Sequence, residues 1–369
     1  MGRSLRPSIA PEIANPEGRH YDYAMGFVAA SPRIYNYGFM TARRFLLSSV
    51  LCLLTCVGCT KQNSGASTAS AHESKPAATD EAPASGPVAT SSAPTAAAVK
   101  INPTRAFQYV KDYVSIGSRP PGSPGHAKAE QFIKSHLAGD NVEVDSFTAK
   151  TPVGEFPIHN IIAKFPGKKD GIIVIAGHYE TNYPLPKEFV GANDGGSTTG
   201  LLLELANQFR GKPLDGYSIW LLWTDGEEAF VKWSDTDSLY GTKHLAAKWK
   251  QDGTAAKIKA FLLLDMIGDA DLDIQRDTNS TPWLSDLVYQ AASTLGYQSH
   301  FFQQTIAIED DHIPFAKIGV PVVDIIDIDY GYANAYHHTT QDTLDKLSPK
   351  SLEIVGDVVL QTIQFINQR

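Results

Sequence analysis

Cysteine is nearly missing from this protein of 369 residues: there are three, Cys52, Cys56 and Cys59, and none beyond them. Whatever folds after Cys59 has no thiol pair for a disulfide and must be stabilised by packing alone. Positive charge is scarce as well. After residue 59 lie 26 of the 32 Lys and Arg against 37 of the 40 Asp and Glu, a net of about −11 at neutral pH. A surface of that sign does not suit a phosphate backbone, so nucleic acid is excluded as a partner. Long apolar runs are wanting too: the stretch from Phe45 to Val57 is too short to span a bilayer comfortably. No internal repeat is present.

That short stretch carries its own message. Arg43 and Arg44 precede it and Gly58-Cys59 closes it, the pattern of a secretory signal over residues 40–59. Cys59 after Val57-Gly58 resembles the lipid-bearing cysteine of bacterial lipoproteins, although Cys56 stands where that pattern usually has leucine. The expectation is an exported, periplasmic or cell-envelope protein that meets the membrane only through a lipid on Cys59. Signals begin at the N-terminus, so Met40 reads as the start and residues 1–39 as an over-extended N-terminus. Residues 60–99 are Ser, Ala, Thr and Pro with hardly a large apolar side chain, which reads as a disordered linker. A catalytic domain is expected over residues 100–369.

Within that domain the pattern alternates. Helical spacing covers Pro103–Ile116 and Ala127–Leu137, separated by the glycine-proline run from Gly117 to Gly125. Strand patterns follow at Val142–Ala149 and Ile158–Phe165, then continuous apolar runs at Gly171–Ala176, Ser218–Trp223, Ala260–Leu264 and Val320–Ile326. Helices are expected at Ser197–Phe209, Leu239–Lys250, Trp283–Leu295 and Pro349–Asn367. Buried runs alternating with helices predict an α/β fold: a mostly parallel twisted central sheet with helices on both faces, an α/β/α sandwich.

Polar chemistry follows the buried runs. Gly177-His178-Tyr179-Glu180 comes after the first, Asp225-Gly226-Glu227-Glu228 after the second, and Asp265 after the third. Parallel strands bring such ends to one edge of the sheet. Asn193-Asp194-Gly195-Gly196 stands just before a helix, whose dipole favours an ionised Asp194. His337-His338-Thr339 precedes the last helix, and one of the two histidines is expected to lie behind the other or at the surface. Adjacent acids are read as a division of labour between metal binding and proton transfer. Imidazole and carboxylate without thiolate suit zinc in a catalytic site. Each residue alone has a plainer reading, His178 as a strand end and Asp194 as a helix cap; together they carry the metal reading.

Taken in order, Gly177-His178, Gly191-Ala192-Asn193-Asp194, Asp225-Gly226-Glu227-Glu228, Leu264-Asp265 and His338-Thr339 resemble the zinc aminopeptidase fold. Narrower segments resemble the animal-type glutaminyl-peptide cyclotransferases: Asp225 to Phe230, Trp233-Ser234, Asp237 to Gly241, Ile308 to Phe315, and the early Pro121 to Gly125. The resemblance covers the domain from residue 100. It implies that Asp194, Glu228 and His338 bind one zinc, that Glu227 is the acid/base, and that Asp265 and Asp310 hydrogen-bond around it. It also implies that Trp233 lines the substrate pocket and that the substrates are peptides or proteins with N-terminal glutamine. His337 replaces the tryptophan that precedes the zinc histidine in the animal enzymes, and the tyrosines of the 329–336 loop are candidates for the lost pocket wall. Gly177 and Thr199 stand where the animal disulfide would be, a loss of stability rather than chemistry.

Two other functions stay open on the residues alone. A zinc aminopeptidase uses the same ligand types, with His178 and Asp265 completing a second metal and Glu227 activating water. A tethered binding lipoprotein would keep the fold and lose the reaction. The sequence leaves the natural peptides and the oligomeric state unspecified.

Overall fold

The computed structural model describes residues 100–369, apart from 184 and 186. The over-extended N-terminus, the signal with Cys59 and the linker read from residues 1–99 lie outside the described residues. No helix among the described residues is long and apolar enough to cross a membrane.

Two helices come first, α1 (Pro103–Val114) and α2 (Pro124–His136), and both start by the same device. The Asn102 side chain accepts the Arg105 N–H at 3.0 Å and the Ser123 hydroxyl accepts the His126 N–H at 3.0 Å. Each cap is followed by proline, whose missing N–H costs nothing in a first turn. The second helix therefore begins inside the glycine-proline run, at Pro124 rather than Ala127.

The remaining elements are β1 (Val142–Thr151), β2 (Gly154–Phe165), β3 (Gly167–His178), α3 (Gly196–Phe209), β4 (Leu214–Thr224), α4 (Tyr240–Gln251), β5 (Ile258–Asp265), β6 (Ile274–Asp277), α5 (Pro282–Leu295), β7 (Phe301–Ile306), α6 (Ile313–Ala316), β8 (Val322–Ile326) and α7 (Pro349–Gln368). Six strands form one sheet in the order β1-β2-β4-β3-β5-β8. Strands β4, β3, β5 and β8 run parallel, while β2 joins β4 antiparallel and carries β1 to the edge. The parallel strands are the continuous apolar runs of the sequence, as burial on both faces requires.

Alternate residues serve opposite faces. Ile173, Ile175, Leu221, Leu262 and Val323 join a core with α1, α2, α3, α5 and α7. Ile172, Val174, Ala176, Leu222, Phe261 and Leu263 pack instead with Leu245, Ala246 and Trp249 of α4 and Phe315 of α6. Full burial of each such side chain is worth about 1.5–3 kcal/mol, so neither layer is optional. The pair β6–β7 forms a separate small parallel sheet that the sequence pattern does not predict. Its strand Ile274-Gln275-Arg276-Asp277 has one apolar residue, too few for a pattern.

Candidate active site

Strand register brings the polar ends together. His178 pairs with Thr224 across β3 and β4, and Asp265 pairs with Ile326 across β5 and β8. The backbone leaving β4 turns at Gly226, whose φ of 68° and the approach of Ile158 Cδ1 to within 2.9 Å of a built Cβ favour glycine. Glu227 and Glu228 follow that turn directly. Asp194 reaches the same edge from just before α3, and His338 from the loop ahead of α7. His338 has a φ of 52°, a left-handed conformation costly for a side chain of its size and often found at functional sites.

Asp194 sits between two imidazoles. Its Oδ1 lies 3.0 Å from His178 Nε2 and its Oδ2 3.2 Å from His338 Nε2. His338 Nε2 is also 2.9 Å from Glu228 Oε1, and His178 Nε2 is 3.3 Å from Asp265 Oδ1. Burial alone would raise Asp194, yet the adjoining His178 and His338 imidazoles hold it well below the usual carboxylate range. Burial would lower His338, but Glu228 and Asp194 push it up to about 11. Such a set of acids favours a cation. Three groups at this site each bring three donor atoms within 4.8 Å of one another: His178, Asp194 and Asp265; Asp194, His337 and His338; and His178, Glu180 and Glu227. Asp194 Oδ2 and Asp265 Oδ1 are buried, and their contacts with the His338 and His178 imidazoles lack hydrogen-bond geometry, so both oxygens stay open and the donor set fits a metal ion.

Glu180, marked in the sequence only as the end of a strand motif, has a role that its position there does not reveal. Its Oε1 accepts the backbone N–H groups of Glu227 at 2.6 Å and of Glu228 at 3.3 Å, clamping both acids at once. Burial is the first cause that raises its carboxyl, to about 8. Asn182 donates to Glu228 Oε2 at 2.6 Å, leaving Oε1 toward His338. Asp342 plays the matching part for Asp194, accepting the N–H groups of Asn193 and Asp194 at 2.8 and 3.2 Å and the Tyr330 hydroxyl at 2.8 Å. Nothing in the spacing of Asp342 distinguishes it from a surface acid.

Glu227 itself is held well above the usual carboxylate range, first by burial, then by the negative charges of Glu228 and Asp310. The resemblance implied hydrogen bonds from Asp265 and Asp310 to this acid, and among the described residues neither is formed. Asp265 turns to the His178 imidazole, and Asp310 Oδ1 accepts the Asp311 N–H at 2.5 Å. The physical reason is donor supply: an imidazole or an amide brings its own N–H to a carboxylate, while two carboxyl groups can bond only across a shared proton. Asp310 is nonetheless raised, first by burial and then by Asp265, so the acids act on one another electrostatically. Its loop is pinned by Asp311, which accepts the Thr224 and Thr242 hydroxyls at 2.5 Å each.

A cavity of about 180 Å³ opens onto these groups, lined by Asp194, Glu227, Glu228, Asp265, Asp310 and His338 with Trp233, His337, Ile308, Ile326 and Ile328. Trp233 forms a wall while staying 36% exposed. Its loop is held by Asp237, whose carboxylate accepts the N–H groups of Phe230, Val231 and Lys232 at 2.9 Å each and the Tyr240 hydroxyl at 2.9 Å. The tyrosines of the 329–336 loop do not line this cavity. Tyr330 is buried on Asp342, Tyr336 packs edge-on against Tyr330, and Tyr332 is 95% exposed. His337, its ring centroid 3.9 Å from that of His338 and tilted by 40°, takes the wall position instead.

Asp225 lies behind the site. Its Oδ1 is 2.8 Å from His126 Nε2, its Oδ2 accepts the His159 N–H at 2.7 Å, and the His126 ring stacks on Tyr179. Burial would lower the His126 imidazole, but Asp225 outweighs it and raises the group. A raised histidine stabilises the fold fully below its unfolded value of about 6.5, and loses that contribution as pH rises through the folded value. His126→Gln is therefore expected to cost about 2 kcal/mol at pH 5.5 and clearly less at pH 9. Urea unfolding at both pH values checks this; an equal loss at both would exclude a charged His126.

With the site in place, the comparisons are decisive. The family model for peptidase family M28 matches residues 160–363. Glutaminyl-peptide cyclotransferase from Boiga dendrophila is 32% identical over 289 residues, covering 68% of this chain and 78% of its own length. The chain belongs to peptidase family M28, on its glutaminyl-peptide cyclotransferase branch. The crystal structure of a glutaminyl cyclase from an Acidobacteriales bacterium is 56% identical, with a TM-score of 0.74 over 76% of this chain and 100% of that one. A Zn-dependent exopeptidase from Parabacteroides distasonis shares the fold at 26% identity and a TM-score of 0.66, covering 74% of this chain and 100% of its own. Membership of the cyclotransferase branch accords with the segments around Trp233, Asp237 and Asp310, which build the outer wall and the Asp310 loop rather than the metal-binding floor.

Proposed function

We propose that this protein is a zinc-dependent glutaminyl-peptide cyclotransferase, converting N-terminal glutamine of peptides or proteins to pyroglutamate with release of ammonia. The observation that carries the reading is Glu227, a buried acid with raised proton affinity, facing a small cavity walled by Trp233. In the reaction the α-amino nitrogen attacks the carbonyl carbon of the glutamine amide, a C–N bond closes the lactam, and the bond from that carbon to the amide nitrogen breaks. Glu227 accepts the proton lost by the attacking nitrogen and returns it to the departing nitrogen, so that ammonia leaves neutral. Holding amine and amide in one pocket supplies much of the rate through proximity. Asp194, Glu228 and His338 would hold the zinc ion, which when bound polarises the amide carbonyl as a Lewis acid. Glu180 and Asn182 keep the two glutamates in their separate roles.

One observation favours a second reading, a zinc aminopeptidase. Asp194 offers one oxygen to His178 and the other to His338, the arrangement of a carboxylate shared by two metal sites. Ammonia release from a glutaminyl peptide, measured beside hydrolysis of a leucyl amide and the metal content per molecule, tests the assignment. Cyclisation with one zinc per molecule is expected; ready hydrolysis with two bound zincs would sink the cyclase reading. The signal from Arg43 to Cys59 supports an exported, lipid-tethered enzyme.

A further inference from the structure

A second concavity of about 340 Å³, larger than the site cavity, adjoins it, and both Trp233 and Glu309 line the two. Its floor is apolar, from Leu239, Ala246, Ile313, Pro314 and Ile318. Its rim carries Lys243 and Lys250, seven positions apart on one face of α4, and Lys317 just after α6. Among the described residues none of these three lysines has a carboxylate within ion-pairing distance, whereas Lys164, Lys248 and Lys350 all do. Lys243 instead donates to the carbonyls of Asp235 and Ser238 at 2.7 and 2.8 Å. Asp235 and Glu309 also line the groove, so its cations exceed its anions in a protein whose overall balance is acidic.

We propose that this groove is a subsite for the part of the substrate that follows the N-terminal glutamine, and that it selects peptides with acidic side chains there. The proposal rests on the cyclase reading. Continuity carries the first half: a glutamine seated beyond Trp233 leaves the rest of its peptide against the wall that both cavities share. Charge carries the second half, because ammonium groups on an apolar floor favour a carboxylate brought by the ligand. Lys250 and Lys317 are exposed, so changing them leaves the fold and the catalytic groups intact.

The test compares kcat/KM for three amidated substrates: glutaminyl-alanine amide, a longer glutaminyl peptide with two glutamates, and its counterpart with two lysines. The acidic peptide is expected to exceed the basic one by about five-fold, the worth of two exposed ion pairs. In the double variant Lys250→Glu/Lys317→Glu the order is expected to reverse with the short amide unchanged. Lys350→Glu, a charge reversal away from the groove, is expected to keep the wild-type order and so separates local contact from net charge. If all forms cyclise the short amide and show no preference, or the preference survives the double variant, the subsite is overturned alone. If none of the three substrates is cyclised, the cyclase reading falls and takes the subsite with it.

Discussion

Glu227→Gln is expected to lower kcat about a thousand-fold, within the range that a positioned acid/base contributes, while metal content stays at the wild-type level. The substitution keeps the size of the side chain and the Glu227 N–H that Glu180 holds at 2.6 Å. It removes only the oxygen that exchanges a proton. Glu228, the neighbour with contacts to His338 and Asn182, is untouched, which is why metal binding should survive. Glu228→Gln is expected to do the opposite first, weakening the metal before anything else. Steady-state ammonia release with metal analysis on both variants decides the division; wild-type turnover by Glu227→Gln would remove that residue from the mechanism.

Loss of the metal site should have an effect as large. Dialysis against a chelator is expected to take activity to background and added zinc to restore it, whereas in Asp194→Asn equimolar zinc should not. Among the described residues Asp194 is the one carboxylate that touches both imidazoles, and its buried Oδ2 meets His338 without hydrogen-bond geometry. Replacing an oxygen there by an amide nitrogen turns an acceptor toward His338 into a donor. A drop in zinc affinity of at least roughly 100-fold is expected, since even residues that merely support a ligand cost up to that. Titration of chelated protein with zinc, followed by metal content and by activity, measures it. Wild-type affinity in Asp194→Asn would exclude Asp194 as a ligand.

Which residues gather at the site was largely legible from their places after buried runs. His178, Glu227, Glu228 and Asp265 each follow a strand or close one, and a parallel sheet has one edge where strands end. Their partners were less so. Glu180 and Asp342 act on backbone N–H groups 47 and 149 residues away, and no local pattern marks an acid chosen for so distant a donor. The Asp265 and Asp310 contacts differed from the expectation for a related reason: hydrogen bonds follow the donors present in three dimensions, not proximity of acids in a motif.

By itself the sequence determined the layered α/β fold, because runs buried on both faces and helices with one apolar side admit few other packings. It also determined that exposed positive charge would be scarce and that no disulfide would stabilise the domain. The tertiary structure alone decided that Trp233 and Glu309 line two adjoining cavities, that His337 rather than a tyrosine walls the site, and that three lysines without a carboxylate partner among the described residues line one groove. Those facts depend on side-chain directions and on the loops at Asp237 and Asp342, which are set by long-range hydrogen bonds that a one-dimensional pattern does not encode.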